Sequence, residues 1–129
     1  MCGIAGMISP DPETRIKNAL LAIEHRGRDD EGVFVSASFG GNELKACLGH
    51  RRLSIIDTSP GGHEPMFTED RQFAIVLNGE IYNYKEIRTE LEAAGEHFTT
   101  SSDCEVLLKA FRKWNVGCLD KLNGMFAFA

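Results

Sequence analysis

The chain has 129 residues, of which 43% are hydrophobic and 26% are charged. This length and this balance predict one globular domain with one core, and they exclude a multidomain enzyme. The net charge of −5 argues against a nucleic-acid partner, because proteins that bind polyanions are basic. No apolar run approaches the roughly 20 residues that cross a bilayer, and the N-terminus does not resemble a signal peptide. We therefore expect a cytoplasmic protein that contacts neither nucleic acid nor membrane.

The cysteines and histidines are scattered along the chain. Cys2, Cys47, Cys104 and Cys118 include no pair with CxxC spacing. The four histidines include no HxxxH pair with a carboxylate between them, the spacing of a helical zinc site. We expect no metal site, and we expect the last three cysteines to be small buried hydrophobic residues.

The first half of the chain predicts a strand, a helix and a hairpin. Residues 2–8 are apolar and contain glycine, which is typical of a short buried strand. Asp11 and Pro12 predict the cap and the first position of a helix that ends near Gly27. The hairpin is predicted as strands over 32–38 and 44–49, joined by Gly40-Gly41-Asn42.

The second half predicts a strand, two helices and a final strand. Residues 57–70 are rich in Ser, Pro, Gly and Asp, and they predict a loop. Residues 72–77 are the strongest strand signal, and this strand is predicted to end at Asn78-Gly79. The remaining predictions are helices with capping boxes at 83–86 and 102–105, ending at Gly95 and Gly117, and a strand over 125–129.

This order of elements predicts an α+β fold in which antiparallel sheets pack against helices. The strands and helices do not alternate regularly, and no glycine-rich phosphate loop is present. Both observations argue against a doubly wound nucleotide-binding fold.

Cys2 is the first candidate for chemistry. If Met1 is removed, the thiol and the free α-amino group lie on the same residue. An α-amine has a pKa of roughly 7.7–8.0, so it can act as a general base near neutral pH. One residue then supplies both nucleophile and base. The alternative is that Cys occupies the second position by chance.

Asn78-Gly79 is the second candidate. The plain interpretation of this dipeptide is a type I′ hairpin turn. The functional interpretation is an oxyanion hole, since an Asn side-chain amide and a Gly backbone N–H can donate to one developing negative oxygen.

Arg52, Glu80 and Asp103 are the charged residues best suited to bind an α-amino acid. Arginine forms bidentate hydrogen bonds with a carboxylate, and two carboxylates suit an ammonium. The alternative is that each is a solvated surface charge, with Asp103 favoured by the positive end of a helix dipole.

Six blocks of sequence carry a family resemblance when they are taken together and in order. They are MCGIAGMI (1–8), EHRGRDDEG (24–32), LGHRRLSIID (48–57), LNGEIYNY (77–84), SSDCEVLL (101–108) and LNGMFAFA (122–129). With these blocks the chain resembles the class II glutamine amidotransferase domain, the N-terminal nucleophile type of glutaminase. The NGEIYNY and SSDCEVLL forms are most similar to the N-terminal domain of glutamine-dependent asparagine synthetases.

The resemblance implies a role for each candidate residue. Cys2 would be the nucleophile that forms a γ-glutamyl thioester and releases ammonia, with its own amine as the base. Asn78 and Gly79 would form the oxyanion hole. In the same comparison, Arg52 would bind the α-carboxylate of L-glutamine, while Glu80 and Asp103 would bind its α-ammonium.

The family also implies a four-layer αββα sandwich of two antiparallel sheets. It implies no metal or organic cofactor for this half-reaction. ATP and Mg are expected only in a synthetase domain that this chain lacks and that would lie in cis in the full-length protein. Residues 1–129 would then be a glutaminase domain without its final strands, and whether it forms a homo-oligomer is open.

The chain departs from the family at one notable position, since Arg28 stands where the family usually has Pro after His-Arg-Gly. Pro would restrict φ and remove a hydrogen-bond donor, so the nearby loop is expected to differ.

Two alternatives to an active glutaminase remain: a catalytically silent relative or truncated fragment that serves as a binding or structural module, and an N-terminal nucleophile hydrolase of another amide.

Overall fold

A computed structural model describes residues 1–41, 43–56 and 58–129. The predicted hairpin turn includes Asn42, which lies outside the described residues. The strands are β1 (Gly3–Ser9), β2 (Asp30–Val35), β3 (Lys45–Arg52), β4 (Met66–Phe67), β5 (Ala74–Ile75), β6 (Leu77–Ile81) and β7 (Gly124–Phe128). The helices are α1 (Glu13–Ala22), α2 (Tyr84–Ala93) and α3 (Asp103–Trp114), with 3₁₀ segments at Glu24–Arg26, Pro60–Gly62 and Asn115–Lys121.

The first half of the chain forms a three-stranded antiparallel sheet in the order β1-β3-β2. Beyond β2, a bridge between Phe39 and Leu44 closes the connection to β3. Helix α1 covers one face of this sheet and buries Ile16 and Leu20 completely. The predicted hairpin is therefore confirmed, with each strand shifted by a few residues.

The second half forms the other two layers. Strands β6 and β7 pair antiparallel, as do β4 and β5, and helices α2 and α3 pack together beside them. The main core lies here, and it includes Ile81, Leu91 and Leu107. The two sheet layers meet where the ring of His50 on β3 contacts the carbonyl of Leu77 on β6. Helix, sheet, sheet and helix follow one another, as the αββα prediction requires.

Two predicted helix caps are wrong. Asp11 does not cap α1, because Pro12 is the N-cap residue and no side chain accepts a hydrogen bond there. Asn83 lies at the N-cap of α2, but its side chain instead bonds the backbone of Lys121 and Asn123, each at 2.8 Å. The cap of α3 is confirmed, since the Ser102 hydroxyl accepts a hydrogen bond from the backbone N–H of Cys104 at 3.1 Å.

The predicted strand over 72–77 is broken into two short strands, and its end is wrong. Asn78 and Gly79 lie within β6, opposite Ala127 and Phe126 of β7. The hairpin-turn interpretation of Asn78-Gly79 is therefore also wrong. The predicted loop over 57–70 contains the short strand β4. Among the described residues, no helix combines the length and the apolar character that a membrane crossing needs.

Candidate active site

A cleft of about 190 Å³ opens between the ends of the two sheets. Five of the six predicted site residues line it: Cys2, Arg52, Gly79, Glu80 and Asp103. The sixth predicted residue, Asn78, precedes Gly79 on β6 and is not among the lining residues. Residues distant in sequence thus meet at one place, because the start of β1, the end of β3, the middle of β6 and the start of α3 all border the cleft.

Cys2 lies just before β1 at the wall of the cleft. Its thiol donates to the carbonyl of Leu53 at 3.6 Å, and the backbone N–H of Leu53 donates to the sulfur at 3.3 Å. The guanidinium Nε of Arg26 donates to the Cys2 carbonyl at 2.9 Å and so holds its backbone. Burial raises the pKa of the Cys2 thiol, although the Leu53 hydrogen bond and the charge of Arg52 oppose this. The thiol is therefore protonated at neutral pH unless a base is at hand.

One edge of β6 pairs with β7, and the opposite edge faces the cleft. Val76 exchanges two backbone hydrogen bonds with Ala129, at 3.0 and 3.1 Å, and Tyr82 donates to Asn123 at 2.7 Å. In an antiparallel pair, alternate residues direct their backbone groups to opposite sides. The even-numbered residues of this stretch therefore bond β7, and residues 77, 79 and 81 direct their N–H groups away from it.

Carboxylates accept two of these three outward N–H groups. Leu77 donates to Oε2 of Glu64 at 2.5 Å, and Ile81 donates to Oδ2 of Asp103 at 3.0 Å. Gly79 lies between them and lines the cleft. Among the described residues, no carboxylate accepts a hydrogen bond from the Gly79 N–H. This N–H is therefore available to a ligand in the cleft.

The backbone at Gly79 admits only glycine. Its φ is +145°, outside the region that side chains favour. A Cβ there would overlap the carbonyl oxygen of Met125 and lie 2.6 Å from the Cα of Phe126. The close approach of β7 is therefore a second reason, besides φ, for glycine at this position.

Asn78 has the one buried side-chain polar atom among the described residues that lacks a hydrogen-bond partner. That atom is its Oδ1. The oxygen and nitrogen of an amide exchange places by a flip of the group, so the same position can present an N–H donor. Buried polar atoms are rarely left without a partner in the interior of a protein, and one that is calls for an explanation.

The charged residues of the cleft are largely withdrawn from solvent. Arg52 ends β3, is 8% exposed, and donates from Nη1 to the carbonyl of Ser59 at 2.9 Å. Asp103 begins α3 and is 6% exposed, and burial raises the pKa of its carboxyl. Glu80 is half-buried on β6 and its charge further raises the pKa of Asp103. The surface-charge alternative is therefore wrong for Arg52 and Asp103.

Glu64 lines the same cleft and was missed by the sequence analysis. It is 7% exposed, although it lies in a segment predicted to be loop. Burial raises its pKa to about 7, while burial lowers the pKa of the adjacent His50 to about 4. Gly32 on β2 makes room for it, because a Cβ there would overlap the Glu64 carbonyl oxygen. No local sequence signal marks this contact.

An apolar rim surrounds the polar floor of the cleft, and it too was missed. Its exposed members are Met1, Leu53, Ile55, Ile56, Tyr82 and Met125. Met1 lines the cleft together with Cys2.

The remaining candidates do not line the cleft. Cys47, Cys104 and Cys118 are buried, which confirms their prediction as small core residues. Arg28 is exposed and is not among the cleft residues. Within the described part of the chain, no group of three His, Cys, Asp or Glu residues could hold a metal ion.

Comparisons with known proteins show which family the chain belongs to. The model of the glutamine amidotransferase domain family matches residues 1–129. The chain is 44% identical to asparagine synthetase (glutamine-hydrolyzing) 1 of Bacillus subtilis, covering 99% of this chain and 20% of that protein. It is 37% identical to asparagine synthetase B (glutamine-hydrolyzing) of Escherichia coli, covering 100% of this chain and 23% of that protein. The chain thus spans between a fifth and a quarter of the length of these curated relatives.

A solved structure shares the fold. The glutamine phosphoribosylpyrophosphate amidotransferase of Bacillus subtilis superposes with a TM-score of 0.71 at 24% identity, covering 98% of this chain and 34% of that chain. This likeness confirms the predicted α+β fold.

Proposed function

The chain belongs to the glutamine amidotransferase domain family, and from that premise we propose that it hydrolyses L-glutamine to glutamate and ammonia. The observation that carries the proposal is the cleft, where the Cys2 thiol, the buried Arg52 and Asp103, and the outward N–H of Gly79 lie together. A thiol nucleophile, charge partners for an amino acid and a donor for an oxyanion are the groups this hydrolysis needs.

The reaction begins at Cys2 once Met1 has been removed. The free α-amine takes the thiol proton, and the sulfur attacks the side-chain amide carbon of glutamine. The negative oxygen of the tetrahedral intermediate accepts hydrogen bonds from the Gly79 N–H and from the Asn78 amide. The carbon–nitrogen bond breaks, the nitrogen takes up a proton and ammonia leaves. Water then attacks the resulting γ-glutamyl thioester and releases glutamate and the free thiol.

The ends of the substrate meet opposite charges. Arg52 binds the α-carboxylate, while Glu80 and Asp103 bind the α-ammonium. The burial of Arg52 and Asp103 supports these roles, because ion pairs withdrawn from water are less screened than surface pairs.

In the full-length protein, we infer that ammonia passes to an ATP-dependent synthetase domain in cis. The support is that the relatives are several times longer than this chain and are named as glutamine-hydrolyzing asparagine synthetases. On this proposal, ATP and Mg serve the synthetase domain alone, and the glutaminase reaction uses no cofactor.

The test replaces Cys2 in the full-length protein. Cys2→Ala should abolish the release of ammonia from glutamine, and a glutamine-analogue electrophile should label Cys2 alone. Cys118→Ala is the matched control, since Cys118 is buried away from the cleft and its loss should leave hydrolysis intact. Hydrolysis that survives in Cys2→Ala would overturn the proposal. A wild-type protein that binds glutamine without hydrolysing it would favour the silent binding module instead.

A further inference from the structure

We propose that Glu64 is a positioning residue, which acts with His50 to hold the backbone of β6 so that Asn78 and Gly79 are aligned as oxyanion donors. This inference rests on the proposed glutaminase function. It assigns a task to a carboxyl group that the reaction steps above do not use.

Glu64 and His50 together bond both backbone groups of Leu77. Oε2 of Glu64 accepts the Leu77 N–H at 2.5 Å, and Nε2 of His50 lies 3.2 Å from the Leu77 carbonyl oxygen. Both side chains are buried, at 7% and 1% exposure. At Leu77 two side chains therefore do what a neighbouring strand does elsewhere in a sheet.

The tautomer of His50 follows from this contact. Burial holds its pKa near 4, so the ring is neutral at physiological pH. A carbonyl oxygen only accepts, so the 3.2 Å contact requires the proton on Nε2.

The held residue directly precedes the two proposed oxyanion donors. A peptide unit is planar and trans, so fixing the direction of the Leu77 carbonyl also fixes the Asn78 N–H, which points the opposite way. Asp103 holds Ile81 on the far side of Gly79. The donors thus lie in a stretch of β6 that is held at both ends, and Glu64 is one of the three groups that hold it.

Several charged or titratable groups act on Glu64 from the surrounding elements. His50 lies 3.5 Å from its Oε2, the thiol of Cys104 on α3 makes a hydrogen bond to it, and Asp103 and Arg52 act through their charges. Burying a carboxyl group in such surroundings costs free energy. An apolar side chain would fill the same space without that cost, so space filling alone does not explain a glutamate here.

The experiment compares variants of Glu64 in the full-length protein. Glu64→Ala and the closer-fitting Glu64→Met remove the acceptor for Leu77, whereas Glu64→Gln keeps an oxygen acceptor. The matched control is Asn83→Ala, because the Asn83 side chain holds the backbone of Asn123 at the opposite end of the β6–β7 pair. For each protein, kcat and KM for glutamine hydrolysis and the exchange rate of the Leu77 amide hydrogen are measured.

We expect Glu64→Ala and Glu64→Met to lower kcat by about 10- to 100-fold, as for small displacements of catalytic groups, and to change KM by less than about twofold. The Leu77 amide should exchange faster in both. Glu64→Gln should restore most of kcat, and Asn83→Ala should retain it.

Three outcomes would contradict the inference. Wild-type kcat in Glu64→Met despite fast exchange at Leu77 would overturn the positioning role and leave the proposed function standing. An unprotected Leu77 amide in the wild-type protein would overturn the contact itself, whichever variants fold. A wild-type protein without glutaminase activity would overturn the proposed function, and this inference with it.

Discussion

The carboxyl of Glu64 makes the stability of the protein depend on pH, and Glu64→Gln isolates that dependence. Burial raises the pKa of Glu64 from its ordinary 4.5 to about 7 in the folded state. Between these two values the folded protein binds more protons than the unfolded chain. The free energy of unfolding therefore decreases as pH rises through this window.

The magnitude follows from the interval between the two pKa values. One pKa unit corresponds to about 1.4 kcal/mol, so the interval from 4.5 to about 7 corresponds to about 3 kcal/mol. Glu64→Gln has no proton to lose and keeps an acceptor for the Leu77 N–H. The free energy of unfolding of the variant, minus that of wild type, should therefore rise by about 2–3 kcal/mol between pH 5 and pH 8.

The comparison between two proteins also removes the effect of His50. Burial lowers the pKa of His50 to about 4, so its contribution to stability increases with pH below its ordinary value of 6.5. That contribution opposes the one from Glu64 in the wild-type protein. The His50 contribution common to both proteins cancels in their difference, and any change in the pKa of His50, which lies 3.5 Å from Glu64, is part of the effect of Glu64→Gln.

Urea unfolding at pH 5, 6, 7 and 8 measures the difference, and Glu105→Gln is the matched control. Burial acts to raise the pKa of Glu105, but hydrogen bonds from Thr100 and Thr99 outweigh it and lower the pKa below its ordinary value. Its replacement should cost stability by a nearly constant amount from pH 5 to pH 8, because the stabilisation from a lowered pKa is lost only as pH falls below the ordinary value of 4.5. A difference between Glu64→Gln and wild type that stays constant from pH 5 to pH 8 would refute the reasoning.

Four further predictions concern the cleft. Gly79→Ala should lower the free energy of unfolding by about 1–3 kcal/mol or more in chemical denaturation, because φ is +145° and a Cβ meets β7; unchanged stability would contradict the geometry. Asn78→Ala should lower kcat by about 10²–10³ in steady-state assays, as for other oxyanion donors. Asp103→Asn should chiefly raise KM, since a charge-assisted hydrogen bond is worth about 1.5–3 kcal/mol; a reversed pattern across these two variants would exchange the two roles. A preparation that retains Met1, verified by intact mass, should be inactive because the nitrogen of Cys2 is then an amide; equal rates with and without Met1 would refute the amine as base.

Elements with strong periodicity were predictable from the sequence. Residues of α3 such as Val106, Leu107 and Ala110 repeat at helical spacing, and all are buried. The Ser102 cap was predictable because its hydroxyl and the backbone N–H of Cys104, which accounts for the cap, are only two residues apart. The site residues were identified through six ordered motifs, since each charge taken alone has a common structural explanation.

Other features depend on contacts that local sequence does not encode. Asn78-Gly79 is a strong turn signal, yet pairing with β7 places both residues within a strand. Asn83 was predicted to cap its own helix, but the backbone of Asn123, forty residues later, is the partner it bonds. Glu64 lies in a polar segment, and its burial depends on the space beside Gly32 on a different strand. In each case a long-range partner outweighs the local preference.

The connection between β2 and β3 offers a position for inserting a reporter sequence. Gly40 and Gly41 have positive φ values of 69° and 68°, and a Cβ on either would meet nothing within 4 Å. The Phe39–Leu44 bridge brings the two ends of this tip together, so an inserted loop would need to span only a short gap. Neither glycine lines the cleft. A short epitope between Gly40 and Gly41 would allow the protein to be captured or imaged while its N-terminus stays free.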